Sequence, residues 1–315
     1  MKIKVLGAIL IALGLPFSVQ AAEKPHVCVV MKSLANEFWR TVEIGVRDYA
    51  KENQDKFTFE AVGLKNESDI DTQINAIEGY ITKQCDVIAV APANSVALIP
   101  SIKRAMNAGI VVVNFDVRLD KKAAQQMGLP EDFLFVGPDN KLGAFEAGDY
   151  LAKNLPKNAN VVIIEGNPGA ENAIERKEGY IKAVNDNNLN LLASRTAHWE
   201  TEEANTLMTN LLTRYPNIQG VMSANDSMVL GVVKAIEAAG KTGEIKVVGF
   251  DFIAPVKQLM KDGKVLASED FFGKDLAVNA VKAGMKIYSG ENLTGWVKTP
   301  VRLVTSKDVQ NEMPE

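Results

Sequence analysis

The chain has 315 residues, enough for two domains of ordinary size. Its 35 basic residues face 39 acidic ones, a net charge of −4. That balance argues against nucleic acid or an anionic membrane as partner.

The chain opens with MKIKVLGAILIALGLPFSVQAA. Lys2 and Lys4 make a short basic start, Val5 to Leu15 is apolar, and Val19-Gln20-Ala21 fits a small-residue cleavage site. The expectation is a secretory signal peptide over 1–21, too short and wrongly flanked for a stable membrane span. No cysteine follows the cleavage site, so no lipid anchor is expected. The mature chain would begin at Ala22, carry 33 basic and 39 acidic residues (net −6), and be exported and soluble. No later run of 18 apolar residues offers a second membrane segment.

Short apolar runs then alternate with amphipathic stretches. HVCVVM, FTFEAVGL, CDVIAVAP and GIVVVNFD read as strands, followed by FLFVG, NVVIIEG, LNLLAS, GVMSAN, IKVVGF and KVLASED. Between them, Val42, Val46, Tyr49 and Ala50 form one helical stripe, Ile70, Ile74 and Ile77 another, and Leu207, Leu211 and Leu212 a third. Strands apolar on both faces that alternate with helices predict parallel sheets covered on both sides, an α/β protein. The pattern restarts near Phe133, after RLDKKAAQQMGLPED, which favours two similar Rossmann-like lobes joined near Val136–Asn140. A closed (β/α)₈ barrel is the topological rival. Cys28 and Cys85 lie in or beside strands read as neighbours. They could form a disulfide in an oxidising compartment or stay as buried thiols.

Several strands end alike. VVVNFD ends at Asp116, VMSAND offers Asn225 and Asp226, and VVGFD ends at Asp251. EGNPGAENAIER leads through a Gly/Pro/Asn loop into a helix carrying Arg176. Ligands of open parallel sheets bind outside the carboxyl ends of strands. Carboxylates, an arginine fork and an asparagine there suit a polyhydroxylated small molecule. Asp226 reads instead as a helix N-cap. KSLANEFWR places Lys32, Asn36, Phe38 and Trp39 where the first strand gives way to a helix. Phe38 lies one turn before Val42 on the apolar stripe, and Trp39 lies off it. Trp199 occupies an equivalent loop in the second lobe. Aromatic rings from the two lobes could close on the apolar face of a sugar or cyclitol ring.

From about His26 to Val304 the chain resembles the periplasmic sugar-binding proteins of ABC importers of the ribose/allose/galactose type, the allose-binding branch most nearly. Their lobes are shared with the LacI-family repressors. KSLANEFW, CDVIAVAP and VVNFD carry the resemblance in lobe one; IEGNPGAENAIERKEGY, SANDSMVLGVVKAI and VVGFD carry it in lobe two. The resemblance implies a type I periplasmic binding protein fold with three hinge crossings, near 137, 252–272 and 298. Lobe one would comprise 22–137 plus about 253–298, and lobe two 138–252 plus about 299–315. Lys32, Asn36, Phe38, Trp39, Asp116, Arg176, Trp199, Asn225 and Asp251 would line the cleft. Ribose binders carry arginine directly after the first-lobe aspartate, where this chain has Val117, with Arg118 next. The family's hinge-side glutamine falls near Asp270-Phe271, which adds Asp270 to the expected ligand set. An allose-like hexose, a ribose-like pentose or myo-inositol is the implied ligand. An ABC permease is the implied partner, and a chemoreceptor or sensor kinase is compatible with it. The expected protein is a periplasmic monomer without cofactor.

An enzyme is the main rival. Only His26 and His198 are present, and HExxH, G-x-S-x-G, a Walker A loop and CxxC are all missing from the sequence. Asp116 and Asp251 could form a glycosidase pair, which turnover of a glycoside would reveal. A repressor would need a basic helix-turn-helix segment where this chain has its signal-like start. NDNNLN (185–190) lacks the spaced ligands of a calcium loop, and no metal site is expected.

Overall fold

The computed structural model describes residues 23–311. The expected signal peptide, with the cleavage point before Ala22, lies outside the described residues.

The first half contributes β1 (His26–Ser33), α1 (Glu37–Glu52), β2 (Thr58–Leu64), α2 (Ile70–Thr82) and β3 (Val87–Val90). It continues through α3 (Ile99–Asn107), β4 (Val111–Phe115), α4 (Lys121–Gln126) and β5 (Phe135–Gly137). The second half begins with α5 (Asn140–Lys153), β6 (Asn160–Glu165), α6 (Glu171–Asp186), β7 (Asn190–Thr196) and α7 (Thr201–Arg214). It runs on through β8 (Gly220–Ser223), α8 (Asp226–Ala238), β9 (Lys246–Phe250), α9 (Ala254–Lys261) and β10 (Ala267–Asp270). The chain closes with α10 (Gly273–Tyr288), β11 (Trp296–Lys298), β12 (Arg302–Thr305) and α11 (Ser306–Asn311).

These elements build two separate open sheets rather than a barrel. The first has strand order β11-β5-β4-β3-β1-β2 and is parallel throughout. The second has order β12-β10-β9-β8-β6-β7, with only β12 antiparallel. The expected two-lobed α/β architecture is therefore observed.

Local chemistry explains the elements. The interior of β1 is buried on both faces, as a central parallel strand requires. Helix α1 starts where the Asn36 side chain accepts the Phe38 N–H, and it turns Val42, Val46 and Ala50 inward. Helix α10 packs directly against α1. Gly45 permits that approach, because a Cβ there would sit 2.1 Å from the Lys274 carbonyl oxygen.

Two expectations about organisation need correcting. Strand β5 follows Phe133 but pairs with β4, so it is the end of lobe one's first pass and not the restart. Residues 253–270 belong with lobe two, because β10 pairs with β9 and α9 packs against α8 and α11. The chain therefore crosses after β5, between β10 and α10, and between β11 and β12. Finally, β11 and β12 were not anticipated. They are three and four residues long, and each carries only two apolar residues in a row, so neither forms an apolar run.

Cys28 and Cys85 are joined, with Cα atoms 6.2 Å apart. The bridge ties β1 to the start of its neighbour β3 and resolves the alternative left open by sequence. Among the described residues no helix is long and apolar enough to cross a membrane.

Candidate functional site

The carboxyl ends of both sheets face one another across a narrow shared cavity. Lobe one lines it with Lys32, Asn36, Phe38, Trp39, Glu67 and Asp116. Lobe two supplies Asn172, Arg176, Trp199, Asn225 and Asp251. Nine of the ten residues singled out in the sequence thus meet at one place.

Each side chain is held by its element. Trp39 lies edge-on to Phe115 at 6.3 Å between centroids. Phe38 stacks on Phe271 at 4.9 Å. Both are buried, so Trp39, although off the main apolar stripe, is as enclosed as Phe38. Trp199 comes from the β7–α7 loop and lies against Gly166, where a Cβ would stand 2.2 Å from its ring. The Lys32 ammonium sits between the two tryptophans, 5.9 Å from the Trp39 ring centroid and 5.4 Å from that of Trp199.

Two ion pairs organise the charge. Lys32 Nζ lies 2.7 Å from Glu67 Oε2. Arg176 Nη1 lies 3.3 Å from Asp251 Oδ1. The Arg176 guanidinium, on the face of Phe250 at 3.7 Å, also donates to Asn140 Oδ1 and to the Ala224 carbonyl. Only 2 % of Arg176 is accessible.

Asp116 has no such dedicated partner. Burial pushes its carboxyl above the usual range, against the pull of the Lys32 and Arg176 charges. Burial likewise raises Asp251, opposed by Arg176 and reinforced by Asp116. Among the described residues that line the cavity, the atoms Asp116 Oδ1, Asn172 Oδ1 and Trp199 Nε1 are buried with neither a hydrogen-bond partner nor an ion pair. Two acceptors and one donor thus surround the same space, and such buried groups call for a partner. The backbone is also strained here: Asp116, Trp199 and Asp251 have φ of +61°, +73° and +117°. Strain of this kind persists only where the surroundings impose it, and it clusters at functional sites.

Asn225, and not Asp226 as expected, is the N-cap of α8. Asn225 caps α8 through the Met228 N–H, although it also faces the cavity. Asp226 is buried behind it, accepting from the Ser268 hydroxyl and the Ile253 N–H. Ser268 in turn accepts the Phe252 N–H, which clamps the left-handed Asp251–Phe252 turn.

Asp270 does not belong to the cavity. Its carboxylate accepts the Phe272 N–H and lies 3.3 Å from Arg302 Nη2, where it secures the crossing into α10. Phe272 needs that support because its φ is +60°. Val117 is fully buried, and Arg118 turns away from the cavity to lie between Phe135 and Trp296, at 4.2 and 4.4 Å. Its Nε stands 3.8 Å from Glu175 of lobe two.

Sequence reasoning missed Glu67 and Asn172. Asn172 lies one turn before Arg176 on α6, so the i, i+4 spacing was an available signal. Glu67 sits in the polar loop KNESD after β2, and only its place at a strand's carboxyl end marks it.

The lobes touch directly around the cavity. Ser227 Oγ donates to Asn36 Oδ1 at 2.9 Å, and the Glu67 N–H donates to Glu200 Oε1 at 3.3 Å. At the other rim the Ser95 N–H donates to the Gly169 carbonyl at 2.9 Å. This is a closed arrangement.

Comparison with known proteins gives consistent matches. The periplasmic binding protein domain profile matches residues 27–292. The D-ribose/D-allose-binding protein of Pseudomonas aeruginosa is 41% identical over 293 residues, covering 91% of each chain. The D-allose-binding periplasmic protein of Escherichia coli is 32% identical, covering 85% of this chain and 86% of the relative. Among solved structures, an ABC transporter periplasmic solute binding protein from Actinobacillus succinogenes with bound D-allose superposes with a TM-score of 0.86. It is 34% identical, and the match covers 92% of this chain and 100% of that one.

Proposed function

From the premise that this chain belongs to the periplasmic binding protein family, we propose that it captures a monosaccharide or cyclitol between its lobes and delivers it to an ABC importer. The observation that carries this reading is the set of orphaned buried atoms, Asp116 Oδ1, Asn172 Oδ1 and Trp199 Nε1, around one cavity between the lobes. Ring hydroxyls supply donors and acceptors together, and the Trp39 and Trp199 faces suit the apolar C–H face of the same ring.

Relatives that bind D-allose and D-ribose support an aldose of that kind as the ligand. The sugar favours the closed state because groups from both lobes bond it only there. Hydrogen bonds involving charged groups contribute roughly 1.5–3 kcal/mol each. A few of them with ring stacking reach the roughly −8 kcal/mol of micromolar binding.

The site reads as non-catalytic. The matched relatives are solute-binding proteins, and Asp251, one half of the imagined glycosidase pair, is committed to Arg176. Periplasmic action follows the family; export through a cleaved signal over 1–21, function as a monomer and docking to a permease complete the proposal.

Intrinsic fluorescence tests it. Trp39 and Trp199 line the cavity, whereas Trp296 lies outside it. Titration of the refolded protein with D-allose or D-ribose should change the emission saturably. Unchanged emission with both, and with other aldoses and inositols, would contradict the reading.

A further inference from the structure

Helix α6 carries Asn172 and Arg176, two of the groups that face the cavity. The residue at its N-cap is Ala170, which has no side-chain oxygen to offer, although its backbone (φ −112°, ψ 125°) has the extended form of a capped start. The first N–H of the helix, that of Glu171, donates instead to Ser95 Oγ at 2.9 Å. Ser95 is a residue of lobe one, in the β3–α3 loop.

Ser95 is built for this contact. It is 4 % exposed. Its N–H donates to the Gly169 carbonyl at 2.9 Å, and its own carbonyl accepts the Asp120 N–H at 3.0 Å. The loop is fixed by Asn94, whose Oδ1 accepts the Val96 and Ala97 N–H groups. Two hydrogen bonds thus join one residue of lobe one to the start of a lobe-two helix, and both can exist only when the lobes are closed.

We infer that Ser95 is a positioning residue for ligand capture: on closure it supplies in trans the cap that α6 lacks. The inference rests on the sugar-binding reading above. In the open form the start of α6 is left to water. On closing, the Ser95 hydroxyl satisfies an orphan amide one turn from the residues that read the ligand. The cap therefore contributes to the closed state and not to the open one, and a ligand that selects the closed state gains the difference.

The test compares Ser95→Ala, which removes the acceptor of the Glu171 N–H, with Ser95→Thr, which keeps it. Affinity for D-allose and D-ribose is measured by calorimetry, and the closed fraction by an interlobe distance from spin labels, with and without sugar. Ser95→Ala should weaken binding about fivefold, equivalent to about 1 kcal/mol at 1.4 kcal/mol per tenfold and within the span of helix caps. It should lower the closed fraction and leave the melting temperature of the sugar-free protein unchanged. Ser95→Thr, which retains the hydroxyl, should bind within twofold of the wild type.

Unchanged affinity and closed fraction in Ser95→Ala would overturn the inference. An equal loss in Ser95→Thr would overturn it too, because the hydroxyl would then not be the group that acts. If the wild-type protein binds neither sugar, the ligand assignment fails by itself. The closed fraction of the sugar-free protein then decides the cap, a fall in Ser95→Ala supporting it and no fall overturning it.

Discussion

Asn36 and Ser227 meet across the cleft, with the Ser227 hydroxyl donating to Asn36 Oδ1 at 2.9 Å. The same oxygen accepts the Phe38 N–H that starts α1, and Asn36 Nδ2 donates to Glu67. One side chain therefore caps a helix, positions a cavity carboxylate and joins the lobes. Lobe closure and site geometry are coupled through it.

The orphaned atoms yield the sharpest mutational expectation. Trp199→Phe keeps an aromatic face but removes the unpartnered Nε1 donor. Sugar affinity should fall about five- to tenfold, close to one net hydrogen bond of about 1 kcal/mol. Asp116→Ala and Trp39→Ala should each cost at least tenfold, with far-ultraviolet circular dichroism unchanged. Calorimetric titration checks all three, and wild-type affinity in any of them would remove that residue from the site.

Asp270→Ala separates the crossing from the cavity. Its carboxylate supports Phe272 and Arg302 and does not line the site. Stability should fall by about 1 kcal/mol, as for other lost side-chain caps, while sugar affinity stays within twofold. A tenfold loss of affinity would return Asp270 to the ligand set.

The Cys28–Cys85 bridge closes a sequence separation of 57 residues near the middle of the first sheet, away from the strand ends that form the cavity. Constraint of the unfolded chain gives such a bridge about 4 kcal/mol. The Cys28→Ser/Cys85→Ser variant should melt well below the wild type yet bind sugar with similar affinity. Denaturant unfolding paired with titration checks both halves.

Glu269 sets a pH dependence. It is fully buried on β10, neither carboxylate oxygen has a partner, and burial pushes it up to about 8, aided by Glu146 and Asp270 and opposed by Arg176. A carboxyl raised in the folded state holds a proton that the unfolded chain releases. Its contribution to stability is therefore constant below the ordinary value of 4.5, falls as pH rises toward 8, and is flat beyond. Glu269→Gln should flatten that fall and raise stability at pH 8 by roughly 1–3 kcal/mol. A steeper fall in the variant would contradict this assignment.

Much of this was legible in the sequence for physical reasons. HVCVVM is apolar on both faces because β1 is central, and residues such as Asp116 and Asp251 end apolar runs because parallel strands point their carboxyl ends at the ligand. Asp270 misled because neighbouring strand residues face opposite sides, so placement within one residue does not say which side chain points where. Ser268 turns toward Asp226, while Asp270 is taken up by the crossing itself. Strand β11 left no trace, since WVK is short, exposed and held by pairing with β5. The contact of Ser95 with α6 joins residues 76 positions apart, and no local pattern encodes it.

Thermal unfolding of the refolded protein against pentoses, hexoses, polyols and inositols asks most simply whether a sugar occupies the cleft. Ligand at a thousandfold excess over Kd stabilises the native state by about 4 kcal/mol. For domains of 150–250 residues that corresponds to roughly 8–16 °C. A shift of this size with D-allose, D-ribose or a close relative, and none with unrelated solutes, is the expected result. No shift with any member of the panel would contradict capture of a sugar or cyclitol between the lobes.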